Sequence, residues 1–327
     1  MRKLFESKHS IIIRMPNWLG DNIMCLPAVA QLKNEFPDLL LKAMCPLPVA
    51  PIWKLSGLIC EIYGYESSLE ALSTSMHVPG KNDIAIVFPN SFSSALSAFF
   101  TGSNNKIGYS GNLRNFLLTH AIPPKRRLHQ VDEYYFLLFG EKPEKEFAPS
   151  LKMSDPEENI LAMMNLNSFR HGKDRLIAIA PGAAWSKSKK WSDTNYILLI
   201  EELLKDDYFI LLVGLDKEIY PFREYKNERI AIYTGSLDKI ASLLSLCYAA
   251  VGNDSGLMHL ASALGCYTII IYGATDWRKT YPRTRRGYVL SYEVPCQPCW
   301  QKQCPRKDYL CLTSVRPWHV LRLLQSF

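Results

Sequence analysis

The 327-residue sequence has no uninterrupted apolar run of membrane-spanning length, since its longest candidates are broken by Pro, Gly or charge. No spanning helix is therefore expected. Residues 1–10 carry Lys and Arg, but no apolar h-region or small-residue cleavage site follows. The chain accordingly reads as cytoplasmic, with contact to the inner face of a membrane left open. No Gly-x-Gly-x-x-Gly turn with an acid about twenty residues on is present, which argues against a nicotinamide-dependent oxidoreductase. No cluster of carboxylates marks a metal site, and no short-period repeat points to a solenoid. Disorder is excluded as well, because 48% hydrophobic and 21% charged residues is a globular composition. A chain this long exceeds one typical core, so two domains are expected.

Acidic residues are spread evenly along the chain, but basic residues are concentrated in its second half. Residues 1–165 hold 16 Lys+Arg and 16 Asp+Glu, while the remainder hold 22 and 15 and so carry the entire net charge of +7. An anionic ligand is expected on the C-terminal half, although surplus charge that merely aids solubility gives the same count.

The first half alternates strand-like and helix-like segments. Residues 10–15, 39–44 and 83–88 read as strands, and 91–100 and 129–139 as helices. The polar, proline-bearing stretch 141–150 is the best linker, which sets the domains at 1–150 and 151–327. A helix over 155–169 leads into a second series: strand 175–180, helix 193–205, strand 208–213, helix 236–246, strand 248–251, helix 255–264 and strand 267–272. A last helix over 315–327 is expected to pack back across the first domain. Two successive βα series imply an α/β fold of two doubly wound domains facing each other across a cleft.

Three strand-to-helix junctions carry chemistry. In Pro16-Asn17-Trp18-Leu19-Gly20-Asp21, a lone carboxylate follows a buried strand, and ligands of open α/β sheets bind at such strand ends. Asp21 suits either a first-turn acid favoured by the helix dipole or a base for an incoming hydroxyl. Pro27, six residues on, should kink the helix or delay its regular part. In Gly252-Asn253-Asp254-Ser255-Gly256-Leu257-Met258-His259, Asp254 and Ser255 are good capping residues and Gly256 permits close backbone approach. Exposed amides at that helix start form a phosphate cradle, with His259 one turn on. Taken singly, Asp254-Ser255 is more often just a cap and His259 more often a structural histidine. In Pro181-Gly182-Ala183-Ala184-Trp185-Ser186-Lys187-Ser188-Lys189-Lys190-Trp191, Lys189 is a point charge able to neutralise a diphosphate; a solvated lysine loop is the alternative.

Together these segments resemble the ADP-heptose:lipopolysaccharide heptosyltransferases of glycosyltransferase family 9. The likeness rests on Gly20-Asp21 with Pro27, on Lys189-Lys190-Trp191, and on the run Asp254 to His259. Phe88-Pro89-Asn90-Ser91-Phe92-Ser93-Ser94-Ala95-Leu96 and Gly108-Tyr109-Ser110-Gly111 add to it. It covers nearly the whole chain and is closest to the branch that adds the second core heptose. The resemblance implies a GT-B fold of two Rossmann-like domains, the first for the acceptor and the second for the nucleotide sugar. It further implies inverting transfer from ADP-heptose to a heptosyl-Kdo2-lipid A acceptor, without a metal needed for catalysis. Heptosyltransferases I and III, or a nucleotide-binding protein without turnover, are the alternatives.

Carried over, the resemblance makes Asp21 the general base. Lys189, helped by Ser188, meets the ADP phosphates; Asp254 holds donor hydroxyls; the backbone of Ser255 and Gly256, with His259 near, meets the diphosphate. Asp238 stands where the family often has a longer acid that holds the ribose, and its shorter side chain departs from that pattern. Asn90 and Ser91, with Lys125, Arg126 and Arg127, are candidates for the phosphorylated acceptor or the membrane. The basic, aromatic run 276–286 reads as a loop near phosphates better than as a nucleic-acid site, because no nucleic-acid motif accompanies it.

Five of the nine cysteines are scattered: Cys25, Cys45, Cys60, Cys247 and Cys266. The others form Cys296-x2-Cys299-x4-Cys304-x6-Cys311. The first pair has metal-ligand spacing but the later gaps are not those of a common zinc ribbon. A structural zinc, reduced thiols and disulfides all remain open. The sequence does not indicate the oligomeric state.

Overall fold

A computed structural model describes residues 1–6, 8–79, 82–125, 127–153, 164, 166, 168–169, 175–184 and 186–327. Arg126, Trp185 and most of the helix expected over 155–169 lie outside the described residues. The chain divides into two compact units, 1–149 and 150–327.

The first unit is built on six parallel strands: β1 (Ser10–Arg14), β2 (Leu40–Pro46), β3 (Glu61–Tyr65), β4 (Ile84–Val87), β5 (Asn105–Tyr109) and β6 (His120–Ile122). Their order across the sheet is β3-β2-β1-β4-β5-β6. The second unit repeats that winding with β7 (Leu176–Ala180), β8 (Phe209–Val213), β9 (Ile230–Tyr233), β10 (Ala249–Asn253), β11 (Tyr267–Tyr272) and β12 (Gly287–Ser291). There the order is β12-β11-β10-β7-β8-β9. In both sheets the chain winds outward from the first strand, returns, and lays its fourth strand on the first strand's other side. Ligand crevices of open sheets form at this reversal, outside the strands' carboxyl ends. The β1/β4 and β7/β10 strand ends are therefore the places to look.

Central strands are covered on both faces, which is why they read as apolar runs. Ile11, Ile12 and Ile13 in β1 and all of β7 and β8 are buried. Each buried Ile, Leu, Val or Phe side chain among them contributes about 1.5–3 kcal/mol relative to exposure. Helix α1 (Leu19–Glu35) holds Asp21 in its first turn, as expected. Pro27 lies inside it, buried, and does not end it; the helix continues for two more turns at the cost of one backbone hydrogen bond. Helix α2 (Phe92–Phe100) is capped by Ser91, whose hydroxyl accepts from the Ser94 amide at 3.2 Å. Helix α3 (Gln130–Phe139) packs against α1.

In the second unit, α4 (Asp193–Lys205) is capped by Ser192. It is followed by α5 (Leu237–Ser245), α6 (Gly256–Ala263) and a terminal helix α7 (Pro317–Leu324). Apolar positions of the terminal helix enter the second unit's core: Val320 and Leu324 lie with Ile177, Leu199 and Trp191, and α7 runs against α4. Among the described residues, no helix is long and apolar enough to cross a membrane.

Candidate functional site

The β1/β4 junction is fixed by residues with little freedom. Asn22, fully buried, donates to the carbonyls of Pro16 and Trp18 at 2.9 and 2.8 Å and accepts from Trp53 Nε1 at 2.8 Å. The turn ahead of α1 is thereby closed from inside. It leaves Asp21 half-buried on the first turn, where Tyr134 donates to its Oδ1 at 3.3 Å. Burial, with the Asp21 charge adding, pushes the Tyr134 hydroxyl well up, so it remains a donor. A carboxylate held in one orientation at a strand end, at the positive end of a helix, is suited to accepting a proton.

Across the same strand ends, Asn90 and Ser91 are positioned by Arg114. This guanidinium is fully buried and donates to the carbonyls of Tyr109 (2.7 Å), Pro89 and Ser91 (3.3 Å), and to Asn90 Oδ1 at 3.4 Å. Burial pushes it down to about 10, still charged at neutral pH. The Asn90 amide oxygen and the Ser91 hydroxyl, expected to face an acceptor, thus already have partners within the protein. Lys125 and Arg127 are exposed; Lys125 Nζ stands 5.1 Å from the Phe136 ring centre, and Arg127 has a left-handed backbone at φ 63°. Arg126 lies outside the described residues.

The β7/β10 junction gathers most of the second unit's candidates. Asn253, fully buried at the end of β10, donates to the carbonyls of Pro181 (2.8 Å) and Gly182 (3.2 Å) and accepts from the Trp191 amide at 2.8 Å. One side chain therefore fixes both ends of the lysine loop. Within it, the single 3-10 turn Lys187–Lys189 directs Lys189 Nζ to 2.6 Å from Asp254 Oδ2. Thr275 donates to the same oxygen at 2.7 Å, and His259 Nε2 stands 3.7 Å from Oδ1. Burial opposes ionisation of Asp254, yet the His259 ring and the Lys189 ammonium outweigh it and hold the carboxyl well below the usual range. Beside this pair, Ser255 is the N-cap of α6, with its Oγ buried and without a hydrogen-bond partner among the described residues, and Gly256 is the first helical residue. An orphaned hydroxyl next to free amides at a helix start suits an incoming anion.

Two expectations change in detail. Ser188 is buried, and its hydroxyl bonds the Gln301 carbonyl and lies 2.8 Å from Ser186 Oγ. It therefore ties its loop inward. Asp254 likewise faces Lys189 and Thr275, so within the protein it orients the lysine. Asp238 is exposed in the first turn of α5, where the Ser236 hydroxyl and first-turn amides hold its carboxyl below the ordinary value.

A sequence profile of glycosyltransferase family 9 (heptosyltransferase) matches residues 78–310. The chain belongs to that family. Lipooligosaccharide heptosyltransferase 2 of Campylobacter jejuni is 25% identical over 95% of this chain and 96% of its own length. Lipopolysaccharide heptosyltransferase 2 of Escherichia coli is 27% identical over 97% of each. The solved structure of E. coli ADP-heptose lipopolysaccharide heptosyltransferase II superposes with a TM-score of 0.83 at 24% identity, covering 97% of this chain and 98% of that one. The fold of this family-9 chain is thus of the GT-B class, with a six-stranded parallel sheet in each unit.

The residues that position this family-9 site were not singled out in the sequence: Asn22, Tyr134, Arg114, Asn253 and Thr275. The available signal was a polar residue ending or following a buried apolar strand, as at Val251-Gly252-Asn253, where an amide must find partners. The four late cysteines are all free, and all line one small cavity with Ser188 and Ala274. Among the described residues, no three His, Cys, Asp or Glu side chains already stand as a set of metal ligands. Burial, then the neighbouring thiols, push the Cys311 thiol up to about 11.

Proposed function

We propose that this protein is an inverting heptosyltransferase that moves L-glycero-D-manno-heptose from ADP-heptose to the lipopolysaccharide inner core, at the second-heptose step. The observation that carries the reading is the β7/β10 junction: a largely desolvated Lys189–Asp254 pair beside a helix start whose Ser255 hydroxyl has no partner among the described residues. The family supports the donor sugar, and the relatives named heptosyltransferase 2 support the step.

In this mechanism Asp21 removes the acceptor hydroxyl proton as that oxygen bonds to the anomeric carbon. The bond from that carbon to the ADP oxygen breaks at the same time, on the opposite face, so the anomeric configuration inverts. ADP leaves with its electron pair and needs positive charge more than a proton. Lys189 and the amides of Ser255 and Gly256 supply that charge, strongest as the phosphate oxygen becomes fully anionic. Asp254 fixes Lys189 and offers its remaining acceptor capacity to donor hydroxyls; His259 supports Asp254. Asp238 is assigned to the ribose. Asn90, Ser91, Lys125, Arg126 and Arg127 are assigned to the phosphorylated acceptor, which would bring the protein to the cytoplasmic face of the inner membrane.

The test is to mix the purified protein with ADP-heptose and defined core acceptors of increasing length, measure ADP release, and weigh the products by mass spectrometry. One added heptose on a monoheptosyl acceptor is the expected result. Addition to a heptose-free or diheptosyl acceptor would reassign the step, and no transfer to any acceptor would overturn the reading.

A further inference from the structure

We infer that Cys296, Cys299, Cys304 and Cys311 form a tetrathiolate site for one thiophilic metal ion, zinc or iron, that braces the loop carrying Lys189. Four free thiols from a single 16-residue stretch line one cavity of about 20 Å³, room for a small ion and little else. Four sulfur ligands suit zinc or iron and not the hard cations bound by oxygen.

The stretch needs such a tie. No residue from 295 to 310 is buried, so burial of side chains does not offset the entropy of ordering it. Trp300, Lys307 and Tyr309 nevertheless hold left-handed backbone at φ 55°, 63° and 48°, a conformation that persists only where the surroundings impose it. Metal ligation would supply the missing free energy. The thiols are not yet arranged as ligands, so binding includes their rotation into the cavity and loss of their protons. Arg306 on the cavity wall is paired with Asp308, so the excess negative charge of four thiolates around a divalent ion is met by Lys302 and Lys307 in the same stretch.

The cavity is stitched to the lysine loop through several bonds. Gln301 O accepts from Ser188 Oγ, the Trp300 amide donates to Ala274 O at 3.0 Å, and the Ala274 amide donates to Ser188 O at 3.3 Å. Gln297 Nε2 adds a bond to Gly273 O at 2.6 Å. A metal that fixes 296–311 therefore fixes the turn from which Lys189 extends. This bracing role rests on the proposed donor site; the metal site itself does not.

Elemental analysis of the full-length protein, purified under reducing conditions and desalted, decides the matter. About one zinc or iron per chain is expected, lost in the Cys299→Ser/Cys311→Ser variant. The element found says which ion the site takes. Should that variant fail to fold, the wild-type protein still answers. Thiol titration should show four sulfurs protected until a chelator is added, and cobalt substitution should give the spectrum of a tetrahedral tetrathiolate. Wild-type protein reconstituted with zinc that holds no more metal than the variant, or gains no reactive thiols on chelation, overturns the site. None of these readouts involves sugar transfer. Chelation that leaves the donor KM unchanged would remove the bracing role alone.

Discussion

Lys189 Nζ lies 2.6 Å from Asp254 Oδ2, joining residues 65 positions apart in the segments that follow two adjacent parallel strands. The lysine is 15% exposed and the aspartate 6%, so the charges are largely desolvated and each depends on the other. A lysine fixed this way meets a diphosphate without first losing the freedom of its long side chain.

Lys189→Ala should leave the Asp254 carboxylate buried beside only Thr275 and His259. Removing one partner of a buried pair costs about 3–5 kcal/mol, so the denaturant midpoint should fall markedly. Calorimetric affinity for ADP should fall in parallel. A variant as stable as wild type would show that the pair is solvated in solution.

The same pair sets an acid limit. The folded Asp254 carboxyl is held below its ordinary value of 3.8, so it binds fewer protons than the unfolded chain. Its contribution is complete above that value and disappears as pH falls through and below it. Urea midpoints of wild type should therefore decline below about pH 4 more steeply than those of Asp254→Asn, which has no such proton to take up. Parallel declines would contradict the assignment.

Asp21→Asn should keep the fold and ADP affinity while kcat falls by roughly 10²–10⁴, the usual worth of a general base. The amide preserves shape and can still meet Tyr134, so a stable protein with intact nucleotide binding is expected. Wild-type turnover in this variant would remove Asp21 from its role.

Gly273→Ala tests the loop's position. A Cβ there would stand 2.4 Å from the Ser188 carbonyl oxygen, a backbone atom unable to swing aside. The turn Lys187–Lys189 must then move, and the donor KM should rise while the acceptor KM stays near its wild-type value. Equal changes in both constants would point to general unfolding.

The inner strands were legible because they are buried on both faces and so read as apolar runs. The outer ones were not: β3, β5, β6, β9 and β12 lie at or beside the sheet margins, and each has half-exposed positions. In β12, Gly287–Ser291 follows directly on a basic loop and has no buried residue at all, so its pairing with β11 supplies what its sequence does not signal. The placement of Asp21, Lys189 and Asp254 after strand ends could be read from the sequence. Their supports could not, because Asn22 and Asn253 act through carbonyls that only the fold brings near. Ser188 shows the converse: a hydroxyl beside a catalytic-looking lysine turns inward, and nothing local distinguishes the two directions.

The winding used twice has a practical result. Every residue assigned to chemistry at the two reversals follows the end of β1, β4, β7 or β10, outside the strands that pair. Libraries that randomise only the exposed positions of those connections, keeping Asn22, Trp191 and the Lys189–Asp254 pair, would vary what the protein recognises while leaving both hydrophobic interiors and all strand registers intact. Specificity and foldability can then be selected separately, one half of the chain at a time.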